Sequence, residues 1–514
     1  MTFKTSRWIL LALGATLVVL AIAAAAGSRT DPLRELVIAT LADRLDSKVE
    51  LASFSVDTFP TVTIQGAGLV IRHQGRTDVP PLVKMDTFRI EGGIVGLLRR
   101  PRRFQSVTLG GLEINIPPGG IEPNRPEESP APAASPRSPF IIDHLRADGA
   151  ELRLIPRAEG KPPKVFAMRR LEVESLGVAE EMPFRAELTN PTPQGTIHTE
   201  GRFGPWQKRA PALTPLTGKY RFADADLSTI KGIGGMLQST GEFAGKLGKI
   251  AVMGETRTPD FRVTISNQPV ELTTRFQAVV DGTDGDTYLN DVHATFGRTS
   301  LHAQGAVTGK EGVKGRLVKL NVKIEEGRIE DLLRLSVKTE RPPMIGDVAL
   351  HAGFTLPPGE ADVADRLELA GNFDVDGRFT DRSVQEKLTG MSQRARGVAT
   401  DGQVENVISG LGGRFALRNG VMRFSNLTFE VPGATVRLAG TYGLRSEELN
   451  FDGTLRMKAT LSEAAGGGVK SFFLKAVDPF FRKRNAGAVL PIKVRGTRSD
   501  PKFGLDVVKA LTPK

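Results

Sequence analysis

The chain has 514 residues and a net charge of +11, from 69 basic and 58 acidic side chains, and it contains no cysteine. Disulfides, a thiol nucleophile and thiolate-held metals are therefore excluded. The basic residues are spread along the chain apart from clusters at Arg99–Arg103 and Arg482–Arg484, and two Trp and three Tyr make no evident base-stacking platform, so nucleic acid is not an expected partner.

In chain order, the first feature is the uncharged apolar run Trp8–Ala26, preceded by Lys4 and Arg7. Such a run reaches roughly 28 Å as a helix, about the hydrocarbon thickness of a bilayer. The cations ahead of it place Met1 in the cytoplasm and the bulk of the chain across the membrane. Ala24–Ala26 also fits the small-residue site of a cleaved signal peptide. On the anchor reading, residues 1–28 are a transmembrane helix. Asp31 and Pro32 then mark a helix start, and Leu33, Leu36, Val37, Leu41 and Leu45 recur at helical spacing. This predicts an amphipathic helix within 29–48 that caps the start of a sheet.

From Val49 the hydrophobic period becomes two. Val62 and Ile64 alternate with polar neighbours, as do Leu112, Ile114 and Ile116. The same holds for Phe261, Val263 and Ile265, for Val270, Leu272 and Phe276, and for Leu320, Val322 and Ile324. Strands with one apolar and one polar face belong to antiparallel sheets. Asn419-Gly420 and Pro432-Gly433 are hairpin turn signals. The pattern divides into a β module at 49–116, a Pro-rich linker at 117–139 that cannot bury a core, and a repeated meander at 140–460. Leu227–Leu237 and Ile329–Leu335 read as short helices. In the closing region, 461–514, residues Val469, Phe472, Phe473, Ala476, Val477, Phe480 and Phe481 follow helical spacing beside Lys470, Lys475 and Arg482–Arg484. That amphipathic helix suits either a membrane interface or a plug at the end of the sheet. Arg99, Arg100, Arg102 and Arg103 suit either anionic head groups or a solvated loop. Trp8 joins the candidate membrane contacts.

No catalytic or metal constellation emerges. DGTDGDT at 281–287 lacks the residue order of a calcium loop and reads as a hairpin turn. The six His are scattered singly in sequence, GAVTGKEG at 305–312 lacks P-loop spacing, and no G-x-S-x-G occurs. The chain is not expected to be an enzyme or to carry a cofactor.

Four stretches resemble the AsmA-like family of bacterial envelope proteins, the AsmA, TamB and YhdP group. They are VELASFSVDTFPTVTIQGAGLVIRHQG at 49–75 after the apolar run and helix, GGIVGLLRRPRRFQSVTLGGLEINIPP at 92–118, PTPQGTIHTEGRFGPW at 191–206, and GGGVKSFFLKAVDPFFRKRNAGAVLPIKVRGTRSDPKFGLD at 466–506. Their order and content, rather than any one motif, carry the likeness. The resemblance implies an anchored, β-rich protein built as a long folded sheet with an apolar groove. It also implies phospholipid movement between the inner and outer membranes of a diderm bacterium, in support of outer-membrane homeostasis.

The expected fold is therefore mainly β: a long, curved antiparallel meander with an N-terminal transmembrane helix and amphipathic helices at both ends. Val62, Ile64, Phe261, Val263, Ile265, Leu272 and Phe276 are the candidate groove residues. The period-two pattern suits an open trough or a closed sandwich equally. The expected location is the inner membrane, with the bulk in the periplasm. Phospholipids, and the outer membrane or one of its proteins at the C-terminal end, are the expected partners. A scaffold or chaperone for outer-membrane protein assembly, adding client strands at its edges, is the alternative.

Overall fold

The computed structural model describes residues 34–505, except chiefly 117–139, 155–163, 397–406 and 460–487. The apolar run at 8–26, the helix expected at 469–481 and Arg99 and Arg100 lie outside the described residues. So do Trp8, Phe472, Phe473, Phe480 and Phe481. Among the described residues, no helix is long and apolar enough to cross a membrane. The described chain is mainly β, and most paired strands are antiparallel neighbours in sequence. It divides into two compact units: Met1–Thr229 with Met236–Glu255 and Val279–Gly285, and Ile230–Gly235 with Thr256–Ala278 and Asp286–Lys514.

The first unit opens with helical residues Arg34, Glu35, Val37, Ile38, Ala39 and Ala42. Val37 is buried in the sheet's core, and Arg34 Nε donates to the Leu51 carbonyl at 3.0 Å. The helix thus caps the sheet, as its periodicity predicts. Strands Ser47–Glu50 and Ser53–Asp57 both pair with Val62–His73, which leads through Val83–Gly92 to Arg102–Gly110. Val83, Met85, Phe88 and Ile90 alternate with exposed residues and meet Ile64, Phe104 and Val107 in one closed core.

Two pairings depart from the all-antiparallel expectation. Strand Phe140–Leu154 runs parallel to both Arg102–Gly110 and Glu113–Ile116. A parallel pair needs a crossover of a dozen or more residues, and the Pro-rich segment between Ile116 and Phe140 supplies that length. Ile142, Ala147 and Ala150 join the same core, so it continues past that segment. Strands Lys164–Leu176, Met182–Pro191, Gln194–Phe203, Pro215–Asp226 and Met236–Lys246 follow as a meander. Their outer face carries a file of alternating charge across six strands, Arg146, Glu172, Arg185, Glu200, Lys219 and Glu242, each directly opposite the next. Opposite charges in such cross-strand positions favour this register over a one-residue slip.

The helix expected at Leu227–Leu237 is not formed. Leu227–Thr229 makes a single 3-10 turn, and strands Ile233–Gly234 and Met236–Lys246 follow. Gly232 and Gly235 adopt φ of 96° and 125°, which a helix does not accommodate.

The second unit is a meander of strands Thr287–Phe296, Thr299–Gly309, Arg316–Arg328, Met344–Leu356 and Glu368–Phe379, each antiparallel to the next. It continues through Ser409–Arg418, Val421–Val431, Ala434–Gly443, Leu449–Met457, Ala488–Gly496 and Pro501–Leu505. Asn419 and Gly420 take φ of 51° and 70°, the left-handed pair that a tight hairpin requires. The 281–287 segment lies between strands Val270–Val280 and Thr287–Phe296, with Gly285 N bonded to Asp281 O at 2.7 Å.

Two helices pack on this unit. Ile329–Ser336 was expected, and it docks through its acidic first turn. Asp331 is buried and accepts from Arg298 N at 2.8 Å and Thr299 Oγ1 at 2.9 Å. Asp331→Ala is expected to leave the Arg298 N–H unpaired and the Thr299 hydroxyl with only its longer bond to the Arg328 carbonyl, at 3.4 Å, and to destabilise the unit by about 1–3 kcal/mol, measured by denaturant unfolding. Burial alone would raise the Glu330 carboxyl, but bonds from Gly346 N–H, its own N–H and the Arg328 guanidinium outweigh it and hold the group below its usual value. A lowered folded-state value gives stability that is present above the unfolded value of about 4.5 and is lost as pH falls through the folded one. Acid titration of the wild type against Glu330→Gln should show the wild type losing this advantage only in that acid range.

The second helix, Arg382–Arg396, was not expected. Asp381 Oδ1 caps it by accepting from Val384 N at 2.9 Å, and Arg382 pairs with Glu386 one turn on at 2.9 Å.

A candidate apolar groove

In an antiparallel pair, directly opposed residues share a face. Reading the registers of the second unit across its strands shows what that face is made of. Ala303 lies opposite Val322, Val322 opposite Ala352, and Ala352 opposite Gly371. The file goes on through Phe415, Phe424, Gly440, Phe451 and Val494. A second file passes from Gly305 through Leu320, Phe354, Leu369 and Leu417 to Met422. A third passes from Ile324 through Leu350, Phe373, Gly413 and Leu427 to Leu438, and then reaches Gly453 and Ile492. None of these positions is charged. The strands from Thr299–Gly309 to Ala488–Gly496 number nine, and at ~4.8 Å spacing they extend the face over roughly 38 Å.

Burial separates this face from the first unit's core. Val62 and Ile64, expected to line a groove, sit instead in the closed core with Phe88 and Phe104. In the files of the second unit, Leu320, Phe354, Phe373, Phe415, Phe424, Leu427 and Leu438 are only partly buried. Of the other expected groove residues, Phe261, Val263, Leu272 and Phe276 are likewise partly buried. Ile265 is not on a strand. The strand Lys249–Val263 ends before it, and Ile265 is 62% exposed in the following turn. The Ser266 hydroxyl and the Asn267 N–H both bond back to the Val263 carbonyl and close that turn.

Glycines shape the face. Gly440 lies opposite both Phe424 and Phe451, so with no side chain between them the two rings meet, centroids 5.8 Å apart. Phe373 faces Gly413 and Phe415 faces Gly371, which brings those rings to 6.1 Å on a diagonal. Phenyl rings lying over glycine keep the face smooth and apolar and need no hydrogen-bond partner.

The rim of the face is covered. Ile329, Leu332 and Leu333 of the first helix pack on Met344, Val348 and Val375. Met391 and Ala395 of the second pack with Val431, Ala434 and Met457. The opposite side of the sheet is polar and includes a cluster invisible in the sequence. His293 and His302 stack with centroids 4.9 Å apart, and Lys323 lies directly opposite both His302 and His351. Among the described residues, no three metal-ligating side chains are grouped to hold an ion. The Glu325 carboxyl there is lowered, first by its hydrogen bond from Lys323 and then by that cation's charge.

In the first unit, the corresponding face is interrupted by polar groups. The Tyr220 hydroxyl and Ser239 Oγ lie 3.1 Å apart, and Ser239 bonds to the Glu255 carbonyl at 3.0 Å. Burial raises the Tyr220 phenol. Of the candidate head-group contacts, Arg103 is held by both oxygens of Asp143, at 2.9 and 3.0 Å, while Arg102 is partly buried. Ile94 and Val95, on the short helix Ile94–Leu98 just ahead of them, are exposed.

No family model, no curated protein and no solved structure matches this chain.

Proposed function

We propose that the protein binds phospholipids by their acyl chains along the apolar face of the second unit and conducts them along it between the membranes of a diderm envelope. The observation that carries this reading is the run of uncharged apolar files across nine strands, left partly open to solvent. A soluble sheet ordinarily covers such a surface with a second layer. Acyl burial contributes ~0.8 kcal/mol per CH₂, so a plain apolar floor retains a lipid without specific ligands. The apolar run at 8–26 would tether the chain to the inner membrane, and the likeness to the AsmA group agrees with this placement. No covalent chemistry is required.

The full chain, extracted gently from an expressing envelope, is expected to carry phospholipid detectable by native mass spectrometry. Chain free of lipid that also takes up none from vesicles would overturn the reading and leave the assembly scaffold in its place.

A further inference from the structure

One end of the first unit holds apolar side chains out toward solvent. Strand Val83–Gly92 finishes with Gly92 opposite Val62, and the short helix Ile94–Leu98 leads from there to the start of Arg102–Gly110. The registers carry the same end across the unit. Arg102 lies opposite Phe140, Ile142 opposite Leu176, Met182 opposite Phe203, and Phe203 opposite Leu216. The connection between Phe203 and Pro215 therefore opens on the same end as Ile94–Leu98. Five strand steps separate the two, roughly 24 Å at the usual sheet spacing. Among the described residues, this unit exposes five large hydrophobic side chains, and three are on these two connections: Ile94 at 50%, Val95 at 63% and Leu213 at 51%. Their exposure is built in. The short helix packs through Gly96, where an added Cβ would come within 3.0 Å of the Arg103 carbonyl oxygen. Beside Leu213, the Ala212 carbonyl accepts from Gly248 N at 2.8 Å and the Thr214 carbonyl from Leu247 N at 2.9 Å. Thr214 Oγ1 also accepts from Gln207 N at 3.1 Å, and Thr214 is 0% exposed. Both neighbours of Leu213 are thus pinned, and its side chain stays outside.

We infer that this end of the first unit seats on an anionic bilayer surface, with Ile94, Val95 and Leu213 dipping into its head-group region. Two observations select a bilayer as the occupant. The first is charge. The sequence between Leu98 and Phe104 holds Arg99, Arg100, Arg102 and Arg103, and that between Gln207 and Pro211 holds Lys208 and Arg209, against Glu180 and Glu181 in the connection after Leu176. Apolar side chains among cations suit the boundary between acyl chains and anionic head groups. The second is the direction of the chain. The helical residues that begin at Arg34 start beside Leu51, and the chain then reaches Ser47, opposite His73 at the far end of Val62–His73. The N-terminal side of that helix therefore faces the Val62 end, where Ile94–Leu98 lies, and the apolar run at 8–26 precedes it. Tether and seat would meet the same membrane. The inference rests on the tether assigned to that run in the reading above.

The chain has no cysteine, so a single introduced one can be labelled without background. The test uses full chains with Val95→Cys, Leu213→Cys or Met236→Cys, each carrying a nitrobenzoxadiazole probe. Met236 is the comparison: it is exposed in the same unit, opposite Asp226 at the other end of the strands. The chains are reconstituted into vesicles of phosphatidylethanolamine and phosphatidylglycerol, with or without bromine on the acyl chains. The probes at Val95 and Leu213 are expected to shift to shorter wavelength and to be quenched by brominated lipid, and the probe at Met236 to do neither. Replacing phosphatidylglycerol with phosphatidylcholine should weaken the quenching at both sites, and undiminished quenching would overturn the part assigned to the cations. Vesicle-bound chain with all three probes in water would overturn the seat and leave the lipid-binding reading standing. Equal quenching at Met236 would overturn the end-on placement. Chain that does not float with the vesicles would overturn the tether, and this inference with it.

Discussion

Leu438→Asp is expected to strip the full chain of phospholipid while costing only about 1 kcal/mol of stability. Leu438 lies in the third file, opposite Leu427 on one side and Gly453 on the other, and is partly buried. In the lipid-free protein, a carboxylate at this position still reaches water, so the fold tolerates it. An acyl chain laid over it would desolvate an unpaired charge, and that penalty runs to several kcal/mol. One such penalty outweighs the burial of several methylenes and breaks the continuity of the face two strands short of Ala488–Gly496. Lipid content by native mass spectrometry and the unfolding midpoint, measured on the same preparation, check both halves of the expectation. An unfolded variant would mean that the face is a closed core. A stable variant with undiminished lipid would mean that lipid does not cross these strands.

The strands were legible because their signal is local. Alternation at Leu320, Val322 and Ile324 and the Asn419-Gly420 turn each specify their own few residues, and each appears where it was expected. The covering layers were not legible. Val62 and Ile64 show the same period as Leu320 and Val322, yet one pair is sealed in a core and the other lies on a partly open face. Period two reports which face is apolar and carries no information about what packs against it. The helix Arg382–Arg396 is marked only by a thin apolar stripe, Val384, Leu388, Met391 and Ala395, because much of its buried side is Gln385, Thr389, Ser392 and Gln393. The His293–His302 contact and the file of Phe415, Phe424 and Phe451 depend on cross-strand register, which brings together residues up to dozens of positions apart. The parallel pairing of Phe140–Leu154 was hidden by the Pro-rich segment, whose composition marks a break in the core but not where the chain rejoins the sheet.

Phe104→Ala is expected to have the opposite signature, a loss of about 3–5 kcal/mol of stability. Phe104 is 1% exposed and lies opposite Ile142 in the parallel pairing. Its ring therefore ties Arg102–Gly110 to the strand that follows the Pro-rich segment. Removing it leaves a cavity that the neighbouring strands cannot fill, because Ile64, Val107 and Ile142 are themselves fully packed. Close packing of this kind transmits the loss to Phe140–Leu154, and through it to the strands that build on its edge. Hydrogen–deuterium exchange should then show faster exchange in Phe140–Leu154 and Lys164–Leu176 as well as in Arg102–Gly110. Exchange confined to Arg102–Gly110 would mean that the two segments flanking the Pro-rich stretch fold independently, despite their shared core. Comparison with Leu438→Asp separates the roles of the two apolar surfaces: one variant would retain its fold and lose its lipid, while the other would lose its fold first.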